Sequence, residues 1–260
     1  MKQTVFVALA ALLLAYAGLC AALFFFQRSL IYHPQPRAVT APESTLRLAV
    51  EGAELVVSVR PQAGPKAIVY FGGNAEDVSQ NLAGFSEDFP EHALYLLHYR
   101  GYGGSTGSPT EQANHSDAAA LFKRVHAQHA EVVVFGRSLG TGVAVRLASQ
   151  APAAKLILVT PYDSMVGIAA SAYPFAPVRW LLLDRFDSGA LAPGIRTPTT
   201  IIAAEYDEVI PRASTDQLLA RFGPGVATMT VIPGVGHNDL GNKNEYRQRL
   251  RAALGMNPTP

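Results

Sequence analysis

Cysteine is nearly absent from this chain: Cys20 stands alone among 260 residues. One thiol excludes an internal disulfide framework. With no Cys-x-x-Cys pair and no Cys/His cluster, it excludes a structural zinc ribbon as well, and it leaves the redox compartment open. Charge of one sign is equally lacking. Lys and Arg total 21 against 20 Asp and Glu, a formal net charge of +1. There is thus no basic surplus for nucleic acid and no acidic solvating tail, so a nucleic-acid partner is not expected. Internal repeats, low-complexity blocks and a second linker are also missing, and a chain of this length reads as one large α/β domain. A phosphate-cradling loop is missing too: Gly101-Tyr102-Gly103 is followed by Thr106 where Gly-x-Gly-x-x-Gly requires glycine. Neither a cofactor nor a metal is therefore expected.

What the chain does have is one long apolar run. From Thr4 to Phe26 no residue is charged. At ~1.5 Å per residue the run reaches across the ~30 Å hydrocarbon layer of a bilayer. Residues 1–27 are accordingly read as a transmembrane anchor. A cleaved signal peptide is the competing reading, because Lys2 supplies a basic start and Ala15-Tyr16-Ala17 resembles a cleavage site. The run nevertheless continues through Phe24-Phe25-Phe26, beyond the ~7–15-residue core of such signals. A lipoprotein site at Cys20 is opposed by Leu19, where a small residue is needed. Lys2 on one flank opposes Arg28 and Arg37 on the other, and the reading leans to a domain on the extracytoplasmic side. Residues 28–42, with Pro34, Pro36 and Pro42, read as a tether, and 43–260 as the globular domain.

Within that domain short β-branched or Leu-rich runs recur at 46–50, 55–59, 67–71, 93–97, 132–135, 156–159, 200–203 and 228–232. Helical spacing separates the later ones, at 111–127, 140–149, 212–221 and 244–253. Ser108-Pro109-Thr110-Glu111 matches a capping box ahead of the first of these helices. The alternation predicts a mostly parallel sheet with helices on both faces and ligands at the carboxyl ends of its strands.

The most informative run is Val132-Val133-Val134-Phe135-Gly136-Arg137-Ser138-Leu139-Gly140, a buried strand entering Gly-x-Ser-x-Gly and leaving as a helix. Glycines there remove side chains where strand and helix converge, and the serine hydroxyl is left exposed on a strained turn. A serine needs a general base, and the base needs an orienting carboxylate. Asp207 follows the run 200–203, and His237 follows the last strand. The order Ser138, Asp207, His237 is that of an α/β-hydrolase. The alternatives are Asp163, after the run 156–159, as the orienting acid, and His98, at the end of its strand, as the base. His115, His126 and His129 read as residues of a solvated helix face. An oxyanion would need two backbone N–H donors: that of Leu139, just after the nucleophile, and that of Asn74 in the loop Gly72-Gly73-Asn74-Ala75.

Taken together, these pieces resemble the α/β-hydrolase superfamily, and within it the membrane-anchored serine hydrolases related to serine aminopeptidase and ABHD-type proteins. The resemblance is carried by Phe71-Gly72-Gly73-Asn74-Ala75-Glu76-Asp77, Tyr99 to Ser105, the turn Gly136 to Gly140, Thr160-Pro161-Tyr162-Asp163-Ser164, Asp207 to Pro211 and Gly236-His237-Asn238. It implies a structural, pocket-forming role for Tyr99 to Ser105. Relatives often have histidine where this chain has Gly72. Between Met165 and Pro198 there is room for a small cap, and its apolar part is either a wall of an acyl pocket or a helix lying on the sheet.

The expected function is hydrolysis of a carboxylester or thioester of an acylated small molecule, lipid or protein near a membrane. A serine aminopeptidase-like activity, or a non-catalytic binding protein on the same fold, is the alternative.

Overall fold

All eight apolar runs form strands, and the strands join in one sheet. In the computed structural model, which describes residues 2–256, they are β1 (Thr45–Val50), β2 (Ala53–Arg60), β3 (Lys66–Phe71), β4 (Ala93–Leu97), β5 (Glu131–Arg137), β6 (Lys155–Val159), β7 (Thr199–Ala204) and β8 (Ala227–Ile232). Their order across the sheet is β1-β2-β4-β3-β5-β6-β7-β8. β1 and β2 run antiparallel to their neighbours, and β3 to β8 are parallel.

The period-2 alternation of a strand divides the core between the two sheet faces. Val69, Phe71, Val132 and Val134 pack on one face with the helices that follow β4 and β5. Ile68, Tyr70, Val133 and Phe135 pack on the other. This two-sided burial is why β5 reads as a continuous apolar run rather than an alternating one.

The helices are α1 (Lys2–Ile31), α2 (Asn81–Asp88), α3 (Glu111–His126), α4 (Leu139–Ala148), α5 (Met165–Ala172), α6 (Val178–Leu181), α7 (Ser188–Leu191), α8 (Arg212–Arg221) and α9 (Asn244–Ala253). α2 carries little sequence signal, since Leu82 and Phe85 are its buried apolar residues and Gly84 interrupts it. The start of α3 differs from the expected capping box. Thr110, not Ser108, is the cap, and its hydroxyl accepts the Ala113 N–H at 3.0 Å. Pro109 therefore lies outside the helix, and Glu111 turns instead to the Arg185 N–H at 2.6 Å.

α1 reaches Ile31, past the boundary expected at residue 27, and it is long and apolar enough to span a membrane. The residues after it are fastened to the domain. Tyr32 is buried and donates to Asp184 at 3.0 Å. His33 N–H donates to the Tyr102 hydroxyl at 2.8 Å. Gly103 N–H donates to the Gln35 carbonyl at 2.9 Å, and Ala38 N–H donates to Asp77 at 2.8 Å. Proline at 34 and 36 keeps this segment extended, and the surrounding loops pair the His33, Ala38 and Val39 N–H groups and the Gln35 carbonyl.

Candidate functional site

Strand register brings the site together. Phe71 pairs with Gly136, so the loop Gly72-Gly73-Asn74 leaves the sheet beside the turn carrying Ser138. Ala204 pairs with Ile232, so the loops holding Asp207 and His237 leave the sheet side by side.

Ser138 has φ 49°, a backbone conformation that costs a non-glycine residue about 1–3 kcal/mol. The fold holds it there. Its N–H donates to the Val159 carbonyl at 2.9 Å, while its carbonyl accepts the Thr141 N–H at 2.9 Å and the Thr141 hydroxyl at 2.6 Å. Gly136 and Gly140 are obligatory for a packing reason. A Cβ on Gly140 would overlap the Phe71 carbonyl, and one on Gly136 would come within 2.5 Å of the Gly140 carbonyl oxygen.

Ser138 Oγ lies 2.9 Å from His237 Nε2. His237 Nδ1 lies 2.9 Å from both carboxylate oxygens of Asp207. Asp207 is itself held by the Val209 and Ile210 N–H groups, at 3.0 and 2.7 Å. All three residues proposed from chain order are thus in one hydrogen-bonded series. The Leu139 N–H begins α4, where the first amides of a helix have no intrahelical partner. Asn74 N–H has no hydrogen-bond partner among the described residues, and both Leu139 and Asn74 line the cavity beside Ser138.

Neither alternative residue enters this series. Asp163 is turned toward Gly189, and its own N–H donates to the Ser214 hydroxyl at 2.9 Å. His98 Nε2 lies 2.9 Å from the Ser58 hydroxyl beneath Gly103, and burial pushes its pKa down to about 4. The helix-face histidines depart from expectation. His129 is buried, between the Gly64 carbonyl at 2.8 Å and the Tyr95 hydroxyl at 3.2 Å. Burial against Phe186 takes His115 down to about 4. His126 stacks on Phe122. His129 is thus turned inward, whereas His115 and His126 are half-buried against the apolar side of α3.

Two carboxylates behind the site were not singled out from sequence. Glu76 accepts the Gly73 N–H and the Tyr70 hydroxyl, each at 2.7 Å, and the Asn81 side-chain amide at 2.5 Å. Burial keeps the Tyr70 phenol protonated well above its usual range, so it remains a donor to that carboxylate. Arg137 Nη1 approaches Glu76 at 3.4 Å. Glu208 accepts the His237 N–H at 3.0 Å, and this bond holds its carboxyl below the ordinary range. The only signal for either was an acidic residue close to a glycine-rich loop. The turn at Tyr99 to Ser105 acts one layer back, where Tyr102 donates to the Asn74 carbonyl at 2.6 Å.

The cavity in front of Ser138 has a volume of about 700 Å³. Its walls include Met165, Ile168 and Ala172 of α5, Leu181 of α6, and Leu23 and Ile31 of α1.

No family model matches the chain. An uncharacterized protein of Mycobacterium tuberculosis is 34% identical over 246 residues, covering 87% of this chain and 85% of that protein. The alpha/beta hydrolase domain-containing protein aho-3 of Caenorhabditis elegans is 31% identical over 196 residues, covering 73% of this chain and 57% of that protein. Among solved structures, an esterase of Pyrococcus furiosus superposes with a TM-score of 0.71 at 14% identity, over 86% of this chain and 98% of the esterase. The enol-lactonase of Burkholderia xenovorans does so with a TM-score of 0.63 at 16% identity, over 81% and 100%. The chain belongs to the α/β-hydrolase superfamily. On this fold the sheet starts with two antiparallel pairings, β1 with β2 and β2 with β4, and the small cap lies between β6 and β7.

Proposed function

We propose that the protein is a membrane-anchored serine hydrolase that cleaves carboxylester or thioester bonds. The observation that carries this reading is the series Ser138, His237 and Asp207, with 2.9 Å at each link and the serine on a strained turn. Ser138 Oγ attacks the acyl carbonyl as its proton passes to His237 Nε2. Asp207 accepts the Nδ1 proton, fixes the tautomer and stabilises the imidazolium that forms. The Leu139 and Asn74 N–H groups hold the oxyanion, the first with the favourable end of the α4 dipole behind it. His237 then protonates the departing alcohol or thiol, and water releases the acyl group from Ser138 by the reverse sequence.

An ester or thioester is favoured over a peptide because the cavity walls from α1, α5 and α6 are largely apolar. The esterase and enol-lactonase likenesses agree with that preference. α1 supplies the anchor.

The test is labelling with a fluorophosphonate, read by intact mass, on the full chain in detergent. One adduct is expected on the wild type and none on Ser138→Ala. Asp207→Asn is expected to slow ester hydrolysis by ~10³–10⁴-fold. A folded wild type that takes no adduct would sink the proposal.

A further inference from the structure

α1 is more than an anchor, because its last turns are part of the cavity. Leu23, Gln27, Leu30 and Ile31 line the same space as Ser138 and His237. The distance from Ile31 back to Leu23 is about 12 Å along the helix axis, so the cavity follows α1 away from the nucleophile toward the membrane segment.

The cap follows α1 in the same direction. Gln27 is buried, and its side chain donates to the Leu181 carbonyl at 3.2 Å and accepts the Leu183 N–H at 2.7 Å. Further along, the Tyr16 hydroxyl donates to the Phe175 carbonyl at 3.0 Å. Arg28, paired with Asp184 at 3.2 Å, marks the polar boundary of α1. Tyr16 lies about 18 Å beyond Arg28 along the helix. With α1 across a bilayer, the cap tip at Phe175 is carried well into an apolar layer that is only ~30 Å thick.

Cap composition fits that placement. Residues 165–183 carry a single charge, Arg179. Met165, Ile168 and Ala172 face the cavity, whereas Phe175, Trp180 and Leu183 are exposed, Trp180 by 87%. A short element apolar on both sides suits a lipid environment outside and an acyl chain inside.

We infer that the acyl chain of the substrate lies along the last turns of α1 and reaches Ser138 from within the bilayer. The substrate is a long-chain ester of a membrane lipid. This inference rests on the serine-hydrolase reading. A lipid is favoured over an acylated protein because both α1 and the cap present apolar side chains where the cavity meets the membrane segment.

The experiment uses the full chain in phosphatidylcholine vesicles and has two arms. In the first, hydrolysis of p-nitrophenyl palmitate is compared with that of p-nitrophenyl butyrate, alongside release of palmitate from monopalmitoylglycerol in the bilayer. Leu23→Trp fills the membrane end of the cavity and is expected to lower the palmitate-to-butyrate ratio about tenfold or more. Leu14→Trp, on the exposed face of the same helix, is expected to leave that ratio unchanged. In the second arm the wild type reports on itself, because Trp180 is its only tryptophan. Its fluorescence is expected to be quenched by phosphatidylcholine brominated in the acyl chains.

An unchanged ratio in Leu23→Trp with Ser138 still labelled by fluorophosphonate overturns the acyl path along α1 and leaves the hydrolase reading standing. An unquenched Trp180 overturns the immersion of the cap. Release of palmitate from an S-palmitoylated peptide but not from monopalmitoylglycerol overturns the lipid assignment. Absence of both labelling and hydrolysis overturns the hydrolase reading, and this inference with it.

Discussion

The Glu76 carboxylate sits 2.7 Å from the Gly73 amide nitrogen and so fixes the loop that presents Asn74 beside Ser138. The same carboxylate holds the Tyr70 hydroxyl and the Asn81 amide, which ties the loop to β3 and α2. Glu76→Ala removes all of these bonds and leaves the loop free to shift. Because a displacement of about 1 Å in a reacting geometry costs up to ~10²-fold, kcat for ester hydrolysis is expected to fall about 10- to 100-fold with little change in KM. Steady-state kinetics with p-nitrophenyl butyrate decide it, and a wild-type kcat would remove Glu76 from this role.

Gly140 is the tightest point of the turn. Its missing side chain lets α4 approach the backbone at Phe71 and Gly72, and backbone cannot move aside as a flexible side chain can. Gly140→Ala is expected to cost about 1–3 kcal/mol or more and to abolish fluorophosphonate labelling. Gly194→Ala is the control, since nothing lies within 4 Å of the added methyl. Thermal unfolding of the two variants separates the packing effect from a general intolerance of alanine.

Asp163 provides a pH test with a defined sign. Burial raises its carboxyl pKa, the nearby Asp187 adds to the rise, and Arg221 opposes it. One of its carboxylate oxygens is buried without a hydrogen-bond partner among the described residues. The folded state therefore disfavours the ionised form. Stability is lost as pH rises from the ordinary Asp range, ~3.9, through the raised value. Asp163→Asn is expected to melt at a higher temperature than wild type near neutral pH, with the difference vanishing at acid pH. Ester hydrolysis is expected to survive, because His237 is oriented by Asp207. Loss of activity in this variant would reverse the assignment of the acid.

Gln27 joins α1 to the cap through two backbone groups. Gln27→Leu leaves the Leu181 carbonyl and the Leu183 N–H without that partner. A buried unsatisfied group costs about 1–3 kcal/mol. Faster hydrogen exchange at the Leu183 amide and a lower melting temperature in detergent are the expected readouts. Unchanged exchange at Leu183 would show that the junction does not depend on this side chain.

Much of the architecture was legible because it is written in local periodicity. Two-sided burial makes β5 and β6 nearly continuous apolar runs, and the alternation of runs with helical spacing implies parallel strands. α2 was not legible, since Leu82 and Phe85 are too few to mark a helix and its position depends on packing against β4. The histidines around α3 were misread for a related reason. Their polarity suggests solvent, but His129 and His115 find partners in Gly64, Tyr95 and Phe186, all remote in sequence.

The chain order and spacing by themselves determined the strand-turn-helix at Ser138, the loops that carry Asp207 and His237, and the apolar length of residues 4–26, because each is a property of contiguous residues. Only the tertiary structure decided that Ser138, His237 and Asp207 lie 2.9 Å apart at each link, that Glu76 braces the Gly73 amide, and that the end of α1 forms a wall of the cavity. The links of the Ser138 series and the junction of α1 with the cap join residues 30 to 156 positions apart, such as Asp207 with His237 and Gln27 with Leu183. Strand register and close packing alone bring such groups within hydrogen-bonding distance, and no local pattern encodes either.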